Sequence, residues 1–174
     1  MSSFRDKPHV APFVGPAWYV AAAWLAGAVL AQSTIVHYLA LRGVVPSFVL
    51  VVVVWYAIRV DARRAVLYGL IAGFCEDALA PPGAAWTIAT GLSALAASVL
   101  SRGFFADSIP LVIAITILAT LLRALFFWSA AAIAGFPVGL SSMHAHEAAL
   151  QSALNAAVMV VAMLIARRFD VSSR

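Results

Sequence analysis

The chain has 174 residues, 64% of them hydrophobic and only 10% charged, with a mean hydropathy of +1.01. Soluble domains are about a quarter charged because water must solvate their surfaces, so this composition excludes an ordinary soluble domain and points to one lipid-solvated unit. The formal charge of +4 does not indicate nucleic acid, because the eleven basic residues, one of them Lys, are scattered along the chain. The lone Cys75 supplies neither a disulfide framework nor a thiol metal set.

A helix needs about 20 apolar residues to cross the hydrocarbon of a bilayer. Read in chain order, residues 1–16, with Arg5, Lys7, Pro8, Pro12 and Pro16, form a basic, extended tail. We expect it to be retained, not cleaved, since apolar character continues past Val29-Leu30-Ala31. The first span covers 17–38 and ends before Arg42, Gly43 and Pro46. The second, 46–59, is Val-rich and short. In lipid an open strand leaves its backbone unsatisfied, so it too is expected to be a helix. Arg59, Asp61, Arg63 and Arg64 then make a tight basic connection to the third span, 64–80, which stops at Pro81-Pro82-Gly83. A fourth, 84–100, leads to Arg102 and Gly103. The fifth, 109–134, follows Asp107, and the sixth, 143–166, follows the Gly135, Pro137 and Gly139 loop. Residues 169–174 form a second tail.

The expected fold is therefore an all-α integral membrane protein, a six-helix transmembrane bundle. Arg5, Lys7, Arg59, Arg63, Arg64, Arg102, Arg167, Arg168 and Arg174 all fall on one side, against Arg42 on the other. The rule that basic loops stay inside places both termini in the cytoplasm.

Ionisable residues at membrane depth are costly and call for partners. Asp77 lies 13 residues beyond Arg64, and Arg123 lies 13 beyond Pro110, so both stand about 20 Å above the cytoplasmic edge. Gln32 and Gln151 reach a similar height. Thr116, Thr120 and Arg123 share one helix face, and Glu147, Gln151 and Asn155 share another. These spacings predict a polar layer of Gln32, Glu76, Asp77, Arg123, Gln151 and Asn155. Within it Arg123 pairs with Asp77 or Glu76; the alternative has Arg123 snorkelling outward and the carboxylates in the watery loop near Pro81.

His144, His146 and Glu147 resemble a metal cluster, but residues two apart on a helix point in nearly opposite directions, so no metal is expected. His37 reads as interfacial. Small residues at Ala22 and Ala26, with Ala23 and Gly27 beside them, and at Gly69 and Gly73 allow close helix contact, read as internal packing in preference to an interface with a second protein. No nucleophile and base, phosphate loop or ligand spacing stands out, so neither catalysis nor a cofactor is expected.

The order of landmarks resembles the rod shape-determining protein MreD family from about Gln32 to the end of the fifth span. The first piece is Gln32-Ser33-Thr34, followed by Gly43-Val44-Val45-Pro46 and the Val-rich segment. The more specific piece is Arg63 and Arg64 followed by Gly69-Leu70-Ile71-Ala72-Gly73-Phe74-Cys75-Glu76-Asp77-Ala78-Leu79, similar to that family's third helix with two glycines and then an Asp. Ser47 departs from the family, which usually has Asp after the proline, and Pro81-Pro82-Gly83-Ala84 replaces a Leu-Gly pattern. The resemblance implies a non-enzymatic component of the bacterial elongation machinery, with MreC, the actin-like MreB, RodA and a class B penicillin-binding protein as partners. It also implies a fold similar to the substrate-binding subunits of energy-coupling factor transporters. Membership of that vitamin-transporter class is the alternative function, with the polar layer lining a ligand pocket, though the outer loops are short for a lid. A proton-coupled transporter using Asp77 and Arg123 as a relay is a third reading, unsupported by any internal repeat.

Overall fold

The computed structural model of the chain describes residues 16–79, 85–102, 108–135 and 142–171. Residues 1–15 with the expected basic tail, Pro81, Pro82, Gly83 and Ala84, Gly103 and Asp107, Pro137 and Gly139, and residues 172–174 lie outside the described residues. What is described is all helical, with six α-helices and no strand: α1 (Trp18–Thr34), α2 (Phe48–Ala57), α3 (Ala62–Leu79), α4 (Ala85–Leu100), α5 (Ile109–Ile133) and α6 (Ser142–Val171). Two of these, Ile109–Ile133 and His144–Ala166 within α6, are long and apolar enough to cross a membrane.

The helix ends depart from the expected spans for local chemical reasons. The first segment, 17–38, is not one helix. Ser33 and Thr34 turn their hydroxyls back onto the Val29 and Leu30 carbonyls at 2.7 Å, a bond that competes with the backbone ladder, and α1 gives way to a short 3-10 turn at Val36–Leu39. At the other end, α6 runs past Arg167 and Arg168 to Val171. Arg168, in the last turn, complements the helix dipole and does not end the helix.

Phe48–Ala57 is the hub. A helix apolar on every side belongs in a core, and Val49, Leu50, Val51, Val53, Val54, Tyr56 and Ala57 are all buried. It packs against each of the other five helices. With ten residues it is about 15 Å long, shorter than the 46–59 segment expected. Its N-terminus is capped by the Ser47 hydroxyl, which accepts from the Leu50 N–H. At its C-terminus Arg59 donates to the Trp55 carbonyl and lies over the Trp55 ring. The following helix, α3, is capped by Asp61, whose carboxylate accepts from the Arg63 and Arg64 N–H groups. The Arg64 bond above all holds the Asp61 carboxyl below its ordinary range.

The most extensive helix pair is α3 on α4, followed by α4 on α5 and α5 on α6. The first depends on two glycines, both buried against α4. A Cβ on Gly69 would fall 2.7 Å from the Ala94 Cβ and 2.9 Å from the Thr90 carbonyl oxygen. The small-residue stripe of α1 behaves differently. Ala22 and Ala26 are exposed, and α1 is buried through Ala21, Leu25 and Ala28. The internal packing expected for the pair is therefore absent, because α1 sits at the edge, packed mainly on α2 and grazing α3. Beside that stripe, Ala23 and Gly27 line an apolar groove of about 650 Å³ between α1, α2 and α6. The exterior elsewhere is also apolar: Leu67, Ile71 and Phe74 on α3, Ile88 and Leu92 on α4, and Leu164 and Ile165 on α6 are exposed.

Candidate functional site

A cluster of the interior's polar residues gathers where the chain enters α2. Pro46 and Ser47 are buried, and Ser47 is extended, with φ −103° and ψ 99°, so the backbone here has no helical ladder to satisfy it. Non-helical backbone inside an apolar bundle persists only where protein groups complete its hydrogen bonds. Three side-chain amides do so. Gln32 of α1 accepts from the Phe48 N–H at 2.8 Å and donates to the Pro46 carbonyl at 3.3 Å. Gln151 of α6 donates to the Val45 carbonyl at 3.1 Å. Asn155, one turn further along α6, accepts from the Ser47 N–H at 2.7 Å and gives its own N–H to the Thr120 hydroxyl at 3.1 Å.

Arg123 of α5 closes the other side of this clasp. Its residue is 4% exposed. Nε donates to Thr90 Oγ1 and Nη1 to Ser47 Oγ, both at 3.0 Å, while Nη2 meets Glu76 Oε2 at 2.6 Å. Thr90 in turn donates to the same carboxylate oxygen at 3.2 Å. The guanidinium also lies 4.4 Å from the centre of the Trp86 ring, a cation–π contact. One side chain thus joins α3, α4, α5 and the entry to α2. The short Arg123–Glu76 contact is a charge-assisted bond between groups withdrawn from solvent, the Glu76 side chain being 12% exposed.

Of the two carboxylates left open as partners of Arg123, the structure pairs Glu76 and gives Asp77 another task. Asp77 accepts from the Trp86 N–H at 3.0 Å, the Thr87 N–H at 2.7 Å and the Thr87 hydroxyl at 2.6 Å. These amides belong to the first turn of α4, whose donors have no intrahelical partner. A carboxylate from α3 thus caps α4 across the helix pair and sits at the positive end of its dipole. Asp77→Asn, which removes the charge while keeping one acceptor, is expected to lower stability by about 1 kcal/mol, measured by thermal unfolding of the purified chain in micelles.

Gln32, Glu76, Arg123, Gln151 and Asn155 thus converge on the α2 entry, and Asp77 lies alongside on the α4 terminus. Glu147 does not join them. It stands two turns above Asn155, with its carboxylate 3.4 Å from His144 Nδ1. Among the described residues no group of His, Cys, Asp and Glu is arranged to hold a metal ion. Sequence reasoning missed Ser47, Thr90 and Trp86 as members of the site. Ser47 carried a readable signal, a hydroxyl residue directly before an apolar run, which is an N-cap pattern. Thr90 and Trp86 carried none, since each is an ordinary residue in an apolar stretch.

The chemistry of this arrangement is that of a lock. The donors and acceptors satisfy one another, and no buried side-chain nitrogen or oxygen among the described residues lacks a partner. Compared with protein-family models, curated proteins and solved structures, the chain finds no match.

Proposed function

We propose that the chain is a six-span, non-catalytic inner-membrane component of the bacterial elongation machinery, acting in cell shape maintenance and in the organisation of lateral peptidoglycan synthesis. One observation carries this reading. Five of the residues on which the resemblance to the MreD family rests are structural in the fold: Gln32 bonds the Pro46 carbonyl at the α2 entry, and Gly69, Gly73 and Asp77 lie along the α3–α4 contact. Further support comes from the apolar exterior of α3, α4 and α6, which in water would be an unusually large exposed patch and in lipid is ordinary.

In this reading all six helices lie in the bilayer in a bundle like that of energy-coupling factor substrate-binding subunits, with both termini in the cytoplasm. The short α2 reaches across with the help of its extended, clasped entry. The partners are MreC, MreB, RodA and a class B penicillin-binding protein, contacted through helix surfaces and short loops.

Depletion in the native rod-shaped host tests it. Cells are expected to round up and to lose lateral wall synthesis, seen by a fluorescent D-amino acid label, and to recover when the intact chain is restored. A normal outline on depletion overturns the reading, and a normal outline with vitamin auxotrophy replaces it with the transporter alternative.

A further inference from the structure

At the end of the bundle where α3 begins and α4 stops, Arg63, Arg64 and Arg102 line one pocket of about 610 Å³, with Asp61 and Ala62 completing its described wall. As topology signals these arginines need only share a side of the membrane, and nothing in that role requires them to converge. Buried bonds bring them together. The Ser98 hydroxyl of α4 donates to the Val60 carbonyl at 3.1 Å, and the buried Ser101 hydroxyl donates to the Ser98 carbonyl at 3.1 Å. The end of α4 is thereby tied to the α2–α3 connection, and Arg102 stands beside the start of α3.

The described wall carries three guanidiniums and one carboxylate. Asp61 is already engaged, accepting from the Arg63 and Arg64 N–H groups and lying 3.4 Å from Arg64 Nε. The first amides of α3 are thus spent, and a ligand meets the arginine side chains, all three exposed. Clustered guanidiniums suit a phosphate, whose oxygens accept paired N–H groups from an arginine fork. The apolar surface beside the pocket narrows the choice of phosphate. Arg63, Leu67, Ile71 and Phe74 follow one face of α3 at i, i+4, i+8 and i+11, and Leu67, Ile71 and Phe74 are each more than half exposed. From Arg63 to Phe74 this ridge rises about 16 Å, roughly half the thickness of a bilayer's hydrocarbon and so the depth of one leaflet. A soluble phosphate or an acidic peptide would use the arginines alone, whereas a phospholipid uses both the arginines and the ridge.

We propose that this pocket is a headgroup site for an anionic phospholipid, with the phosphate among Arg63, Arg64 and Arg102 and an acyl chain along Leu67, Ile71 and Phe74. The site rests on the reading of the chain as a membrane-spanning bundle, with this end in the headgroup region, and is independent of any role in cell shape. Its test reads binding to the purified chain, so a failure there leaves the outcome of depletion untouched.

The probes are phosphatidylglycerol and phosphatidylcholine with the same acyl chains, titrated into the full-length chain in neutral detergent micelles and counted on the protein by native mass spectrometry. Phosphatidylglycerol is expected to bind at least about fivefold tighter than phosphatidylcholine. Arg63→Gln and Arg102→Gln, both at exposed positions outside the α2 clasp, each weaken phosphatidylglycerol about fivefold, the effect of one basic residue near an anionic headgroup. Arg168→Gln, at an exposed position of α6 outside the pocket wall, removes the same charge and leaves binding unchanged. Excess inorganic phosphate or polyglutamate does not displace the lipid. The proposal is overturned if the two lipids bind alike, or if Arg168→Gln weakens phosphatidylglycerol as much as Arg63→Gln, which would show net charge acting without a site. Displacement by inorganic phosphate or by polyglutamate also overturns it, in favour of a soluble phosphate or an acidic protein segment as the ligand.

Discussion

Glu76→Gln is expected to lower the unfolding free energy by about 3–5 kcal/mol, the loss usual when one member of a buried ion pair is removed. The substitution keeps the shape and an acceptor oxygen, so the lost quantity is charge balance. Arg123 would remain 4% exposed with a full positive charge and only hydroxyls, an amide oxygen and the face of Trp86 to solvate it. The cost is therefore desolvation left unrepaid, not the loss of one hydrogen bond, which by itself contributes about 1 kcal/mol. The double variant Glu76→Gln, Arg123→Met removes both charges and is expected to be more stable than the sum of the two single losses predicts, because a neutral pair carries no desolvation cost. Thermal unfolding of the four proteins in micelles forms the cycle. Strictly additive losses would show that the two side chains do not depend on each other. Asp77→Asn supplies the contrast, since its smaller expected loss separates a helix cap from a buried counter-ion.

The sequence made the charged and amide residues of this site visible, but neither their pairing nor the hydroxyls of Ser47 and Thr90 between them. Depth along a helix is countable, and counting put Asp77 and Arg123 at one height. Rotation about the helix axis is not countable to the same accuracy, and neighbouring residues differ in direction by about 100°. What fixes the rotation of α3 is the backbone contact of Gly69 and Gly73 with α4, a tertiary fact. With that face set, Glu76 reaches Thr90 and Arg123 while Asp77 reaches the first turn of α4.

The amides illustrate the same limit differently. Gln32, Gln151 and Asn155 were expected as members of a polar layer, a description that treats them as partners of each other or of charges. Each instead serves the unwound backbone between Val45 and Phe48. The need for them arises only once Phe48–Ala57 is known to be ten residues long with an extended, buried approach. A hydropathy pattern registers the apolar run and is silent on where the helix begins. The α1 stripe shows the converse error. Ala22 and Ala26 have the spacing of a contact face, yet they are exposed, because spacing identifies a smooth surface and not what lies against it.

Gly73 provides the second large expected effect. Gly73→Ala would place a Cβ against the Trp86 carbonyl oxygen, 2.6 Å from the Thr87 Cα and 2.8 Å from the Trp86 carbonyl carbon. These are backbone atoms, which cannot turn aside as a side chain does, so α3 and α4 must separate. Overpacking of this kind costs about 1–3 kcal/mol. A second loss accompanies it, because the Trp86 and Thr87 amides are the ones held by Asp77, one turn from Gly73, and releasing that cap adds about 1 kcal/mol. A total near 2–4 kcal/mol is expected, with faster hydrogen exchange at the Trp86 and Thr87 amides as its local signature. Gly27→Ala is the matched control: Gly27 also lies inside a helix, nothing stands within 4 Å of its added Cβ, and the higher helix propensity of Ala should raise stability by up to about 1 kcal/mol. The two substitutions are chemically identical and differ only in what the new methyl meets. Equal effects would mean that the glycines of α3 act through backbone flexibility, whereas opposite signs would assign Gly73 its role as the surface on which α4, and with it the capped terminus beside Arg123, is seated.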